Sequence, residues 1–219
     1  MRLLPIGVLA ILLAGVCLGP RLENLCRPTG ASAELPLFPS GKLLEAVPTG
    51  WRTTAADLAW LQAIQYYGKH HLEDRSYPMA RHLFGVTTRL DPQFRNAYVF
   101  GGWVLGEEAG DMDAARVLFD RGRRAIPNDW MIAFQRGFLE SMRGDPTRGA
   151  LQMAHAAEME GAPSYAARVA AFACTRAGRT ELAVRLWEEI ARDPDPAIRA
   201  LAQERLRAIG TRVARGRDS

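Results

Sequence analysis

The side chains able to do chemistry are few and badly placed for it. His70, His71 and His82 are the one group of metal-ligating type. Adjacent histidines on a helix point about 100° apart, so at most one of the first two can join His82. No nearby carboxylate pair completes a ligand set. They read as surface histidines near a turn, with no metal and no cofactor expected. Cys17, Cys26 and Cys174 form neither a C-x-x-C nor a C-x-x-C-H pattern. Cys174 reads as a small buried apolar residue, and a Cys26–Cys174 disulfide stays open for an oxidising compartment. No nucleophile–base motif, Gly-rich phosphate loop or pair of acids stands out. The chain is therefore expected not to be an enzyme, with no catalytic residue and no small-molecule substrate. Arg205, Arg207, Arg212, Arg215 and Arg217 could attract phosphate groups, but no aromatics interleave with them. They read as a solvated tail rather than a nucleic-acid surface.

Composition supports a packed protein. Of 219 residues, 48% are apolar and 24% charged, which excludes disorder over most of the length. The formal charge of +4 is spread along the chain, and Lys42 and Lys69 are the only lysines.

A spacing organises the chain. Gly110-Asp111, Gly144-Asp145 and Gly178-Arg179 each recur after 34 residues. At a fixed offset behind each comes a small residue and then a bulky one: Ala115 and Phe119, Gly149 and Met153, Ala183 and Trp187. Units stacked on copies of themselves keep such a register because each must present the same face to the next.

Around this array the chain divides in order. Residues 1–20 begin with Arg2 and continue from Leu3 to Pro20 without a charge. Eighteen residues of helix span about 27 Å, close to the thickness of bilayer hydrocarbon. Val16 before Cys17 disfavours lipidation, and Ala31-Ser32-Ala33 lies too far past the apolar run for signal cleavage. The expectation is an uncleaved inner-membrane anchor with the following domain extracytoplasmic, the alternative being secretion after cleavage. Residues 21–52, rich in Pro and Gly, read as a linker. From Thr53 to about Ile209 the apolar residues fall at three- and four-residue steps, in pairs of helices separated by short turns. The last helix, Pro196 to about Ile209, has one apolar and one polar side, as a capping helix should. Residues 211–219 read as a frayed basic tail.

These residues resemble the tetratricopeptide repeat (TPR) family, whose 34-residue unit is a helix–turn–helix with small residues at the crossing, a later aromatic and a terminal proline. The matching residues are Gly68, Gly137 and Ala171 in first helices and Ala80, Ala115, Gly149 and Ala183 in second helices. Phe84, Phe119 and Trp187 follow them, and Pro92 and Pro127 close repeats. The resemblance covers roughly residues 55 to 196. Trp103 departs from it, standing where a small residue belongs, with Gly101 and Gly102 just before; this shifts the first helix of that repeat by one residue. The third repeat ends in Gly161 and Pro163. The resemblance implies an all-α fold, a right-handed superhelical stack of about four hairpins over residues 53–210, with a capping helix. It also implies a groove lined by first helices. On the repeat spacing the lining is Gln62, Gln65, Lys69, Tyr98, Phe100, Val104, Met131, Phe134, Phe138, Tyr165, Arg168 and Phe172. Such a groove suits an amphipathic helix or an extended apolar peptide. The expected function is a scaffold or assembly factor tethered to the membrane and binding a protein of an envelope complex. The alternatives are a constitutive accessory subunit of a membrane complex, or a regulatory or metal-binding module of an enzyme.

Overall fold

Contacts divide the chain into Met1–Pro36 and Leu37–Ser219. The structure, a computed structural model, describes residues 47–215, all within the second unit. Residues 1–46, which include the expected anchor and most of the expected linker, lie outside the described residues. Among the described residues every regular element is helical, so the fold class is all-α. The helices are α1 (Arg52–Leu72), α2 (Ala80–Leu90), α3 (Arg95–Trp103), α4 (Met112–Ala125), α5 (Trp130–Arg143), α6 (Pro146–Ala157), α7 (Ser164–Arg176), α8 (Thr180–Ile190) and α9 (Pro196–Arg215). A 3₁₀ turn, Thr49–Trp51, leads into α1, and α3 continues as a π-helical turn, Val104–Glu108.

Local chemistry sets the helix ends. Asp111, Asp129 and Asp145 each accept a hydrogen bond from a backbone N–H in the first turn of the helix that follows. A carboxylate there satisfies a donor that has no partner within its own helix. Pro146 opens α6, where no N–H is needed. Gly110 and Gly178 take left-handed φ values of 68° and 70° to turn the chain. Gly144, their counterpart in the repeat, has φ −118° and is needed for another reason: a Cβ there would overlap the Glu140 carboxylate.

One of the two ends of the array differs from the sequence reading. Helix α1 runs through Gly68 to Leu72, and the residue that closes it in the left-handed region is Arg75, at φ 53°. At the other end α9 continues past Ile209 to Arg215, because Ala and Arg favour helix and no proline interrupts.

Packing follows chain order. Each helix packs on the next, α2 also meets α4, α3 also meets α5, and no more distant pair packs substantially among the described residues. The side-chain bonds show the same period. Arg95 to Asp129, Trp103 to Gln135, Arg121 to Thr88 and Arg143 to Glu107 all join residues 32 to 36 positions apart. The array is thus helical and repeat-like.

Small residues set how closely the helices approach. In the α5–α6 hairpin the two glycines face each other: a Cβ on Gly137 would lie 2.8 Å from the Met153 amide nitrogen, and one on Gly149 2.6 Å from the Gly137 carbonyl oxygen. Gly101 makes room for Phe84 and Leu118, Gly102 for Phe119, and Gly122 for Tyr98. Gly68, expected at the first crossing, has open space where its Cβ would be, so no crossing depends on it. Ala80, Ala115, Ala183 and Ala171 are fully buried, as are Phe84, Phe119, Met153 and Trp187. Helix α5 joins two parts of the core. Ile132 and Leu139 pack with residues of α1 to α4, whereas Ala133 and Phe134 pack with residues of α6 to α9.

A charged ladder crosses from α4 to α5. Arg116 donates through Nε and Nη2 to both oxygens of Glu140, at 3.0 Å each, and Glu140 is 2% exposed. One turn along, Arg136 sits with its Nε 2.9 Å from Asp120. The amide of Asp145 also donates to Glu140. The Arg116 guanidinium, with burial working against it, holds the Glu140 carboxyl below the usual range.

Replacing Gly149 with Ala adds helix propensity but forces backbone apart, so it should lower stability by about 1–3 kcal/mol in urea unfolding. Glu140→Gln should cost about 2 kcal/mol at neutral pH, because it removes the buried charge that meets Arg116 Nε and Nη2 and leaves only the exposed Asp113. Glu140 has its carboxyl pKa depressed in the folded state. Its stabilisation is therefore complete above the unfolded value, about 4.3, and is lost as pH falls through the lower folded value. The gap between wild type and Glu140→Gln should accordingly close in acid, as read from urea midpoints across pH 2.5–7.

Candidate partner-binding face

Helices α1, α3, α5 and α7 share one feature, a run of half-exposed aromatic rings. On α1 these are Trp60 and Tyr67, on α3 Phe100 and Trp103, on α5 Trp130 and Phe138, and on α7 Tyr165 and Phe172. The rings meet across helix boundaries. Phe100 lies 5.9 Å from Trp60 and 5.0 Å from Tyr67, Trp103 lies 5.8 Å from Phe138, and Trp130 lies 6.1 Å from Tyr165. Every step from one odd helix to the next, as far as α7, therefore carries an aromatic contact. Offset and edge-on pairs of this kind hold the rings in place, so a partner meeting them would order little further side-chain freedom. Trp103 is fixed further by its Nε1–H, which donates to Gln135 at 2.8 Å. Phe172, 37% exposed, is held by Trp187 at 4.8 Å and covered on one side by the Arg205 guanidinium at 5.2 Å.

The structure divides the twelve residues expected to line the groove. Gln62, Gln65, Lys69, Phe100, Met131, Phe138, Tyr165, Arg168 and Phe172 are at least partly exposed. Tyr98, Val104 and Phe134 are core residues, at 0%, 2% and 4% exposure. Tyr98 stands 34 residues before Ile132, which is buried as well, and Val104 opens the π-helical turn. That turn holds one more residue than an α-helical turn would, so positions in it rotate off the face that a 34-residue offset assigns. Tyr98 instead fills the space left by Gly122, and its hydroxyl donates to the Pro92 carbonyl. Phe134 stands between Trp130 and Phe138, at 6.2 and 6.5 Å, and packs inward with the residues of α6 to α9. Trp60, Tyr67, Trp103 and Trp130 were missed. Their signal was present as spacing: Trp60 to Tyr67 and Tyr165 to Phe172 are seven apart, and Trp130, Phe134 and Phe138 four apart.

At the α1 end the band has a polar margin. The Tyr67 hydroxyl lies 3.2 Å from His71 Nδ1, and the Tyr77 hydroxyl lies 3.4 Å from it. Tyr77 donates to Glu108 at 3.5 Å, and Tyr67 and Tyr77 stack at 5.7 Å. Burial first, then the Glu108 carboxylate, pushes both phenols above the usual tyrosine range. They remain protonated donors through neutral pH. Glu108 reaches this site from the π-helical turn, whereas its neighbour Glu107 pairs with Arg143 on α5 at 2.9 Å. His70 turns the other way, to Asp74 at 2.6 Å, so the adjacent histidines serve different sites.

No group of three or more His, Cys, Asp or Glu stands ready to hold a metal ion among the described residues. Cys174 is fully buried, its thiol directed to the Ala150 carbonyl at 3.7 Å, and burial pushes that thiol up. Cys26 lies outside the described residues. No helix among those described is long and apolar enough to cross a membrane. In comparisons with family models, curated proteins and solved structures, the chain matched none.

Arg75 occupies backbone space that favours glycine, beside the Tyr67–Tyr77 pair. Arg75→Gly removes that strain while loosening the unfolded chain. A net gain of about 0.5 kcal/mol in thermal unfolding is expected.

Proposed function

We propose that this chain is a non-enzymatic, TPR-like repeat protein that holds a partner polypeptide. The helices would continue as a superhelix whose inner surface carries the aromatic band. Residues 1–20 would tether it to the inner membrane with the repeats outside the cytoplasm, and the partner would be a component of an envelope complex. The observation that supports this reading is the unbroken series of half-exposed rings across α1, α3, α5 and α7. Aromatic residues are enriched in the buried centres of protein interfaces, where they bring large area at small entropic cost. Among the twelve residues expected to line the groove, Lys69 and Arg168 are the only charges, and Gln62 and Gln65, with Gln135 beside Trp103, supply neutral hydrogen-bonding groups. That mixture suits the apolar side of an amphipathic helix, or an extended apolar segment whose backbone meets the glutamines.

The test is co-purification of the full-length chain with its membrane neighbours, comparing wild type with a Phe138→Asp/Tyr165→Asp double variant. Capture should fall at least about tenfold while the far-UV helical spectrum is kept. Leu151→Asp, on an exposed position of α6 away from the band, should leave capture unchanged. Equal capture by the double variant and wild type would refute the reading.

A further inference from the structure

The even-numbered helices carry a feature of opposite character. A groove of about 240 Å³ lies between α2 and α4, lined by Arg81, Gly85 and Arg89 from α2 and by Ala114, Val117, Leu118 and Arg121 from α4, with Leu105 at its floor. Its volume corresponds to about eight water molecules of liquid. Three guanidinium groups border it, but their circumstances differ. Arg81 is paired with Asp111 at 3.1 Å. Arg89 and Arg121 have no carboxylate partner among the described residues, and the acids near them are engaged elsewhere. Asp120 pairs with Arg136, Asp113 with Arg116, and Asp91 accepts from the Gln93 amide.

Arg121 is held in position, and Arg89 lies against the backbone of its own helix. Arg121 Nη1 donates to the Thr88 hydroxyl at 3.3 Å, and that hydroxyl donates in turn to the Phe84 carbonyl at 2.9 Å. Arg89 folds back over Gly85, where an added Cβ would lie 3.4 Å from its Nη1. Burial, and then the charge of Arg121, pulls Arg89 below the usual arginine range. Two like charges are thus kept close together over an apolar floor without a counterion, an arrangement that a bound dianion would relieve.

We infer that the α2–α4 groove is a binding site for a phosphate group, gripped by Arg89 and Arg121. Two guanidinium groups match a phosphate in charge and in number of acceptor oxygens, and planar forked donors fit its tetrahedral edges. Leu105, Leu118 and the exposed Val117 form the apolar wall on which the carrier of the phosphate would rest. The phosphate could be free or part of a lipid headgroup. The site is separate from the aromatic band, because all three of its arginines come from second helices, and it does not depend on the proposed function.

The experiment melts the full-length protein in inorganic phosphate and in sodium chloride of equal ionic strength. Phosphate at about ten times its dissociation constant should raise Tm by about 3 °C beyond the chloride control. Arg89→Gln and Arg121→Gln should each abolish that rise. Each should also leave Tm in chloride equal to or above that of wild type, since one of two repelling charges is gone. An equal rise in chloride, or a phosphate response retained in both variants, would overturn the assignment. Vesicles then distinguish the sources. Binding to phosphatidic acid vesicles that exceeds binding to phosphatidylcholine, is lost in Arg121→Gln and is displaced by inorganic phosphate assigns the site to a headgroup. A thermal response to phosphate without that difference assigns it to a free phosphate.

Discussion

The closeness of one helix crossing governs much of this structure. Where α5 meets α6, backbone touches backbone at Gly137 and Gly149, with no side chain between. Elsewhere the same demand is met less strictly, by Ala80, Ala115 and Ala183 on second helices and by glycines that accommodate a facing ring. Once a pair of helices closes at such a point, the bulky residue one turn further on is driven into the next layer. Phe84, Phe119, Met153 and Trp187 all end there, with at most 1% exposure. On the first helices Tyr66, Tyr98 and Phe134 also enter the core, and the other rings are not drawn in with them. They are left partly exposed along the other side, where they form the band.

Charge is arranged to serve the same array. The Arg116–Glu140 and Arg136–Asp120 pairs join α4 to α5, which belong to different hairpins. A buried pair adds less net stability than its short distances suggest, because both groups give up water. Its role here is registry: Glu140 also receives the Asp145 amide and fills the space beside Gly144, so helix, turn and ion pair fix one another. Arg89 and Arg121 show the contrast. They border a groove and have no carboxylate partner among the described residues.

What could be read in the sequence was whatever the repeat itself enforces. The Gly-Asp turns, the small residues of the second helices and the bulky ones behind them recur because each layer imposes the same demand. All of these second-helix positions proved buried. The assignment of faces on first helices was legible only where the helix stays regular. Phe138, Tyr165 and Phe172 lie where the offset puts them, but Val104 does not, since a π-helical turn breaks the periodicity there; Tyr98 shares its 34-residue offset with the buried Ile132. Trp103 and the paired glycines before it were the visible trace of that turn. Pairings such as Arg143 with Glu107, or Arg116 with Glu140, were not legible at all. They depend on how far one hairpin rotates on the next, and hydrophobic spacing does not carry that angle.

The same π-helical turn has a mechanical consequence. It aims two consecutive carboxylates in opposite directions, Glu107 toward Arg143 on the following hairpin and Glu108 toward Tyr77 on the preceding one. Tightening it to α-helical winding would swing the residues on one side of it by about 100° relative to the other. Both tethers would then part together. The winding of Val104–Glu108 is thereby coupled to both neighbouring hairpins at once.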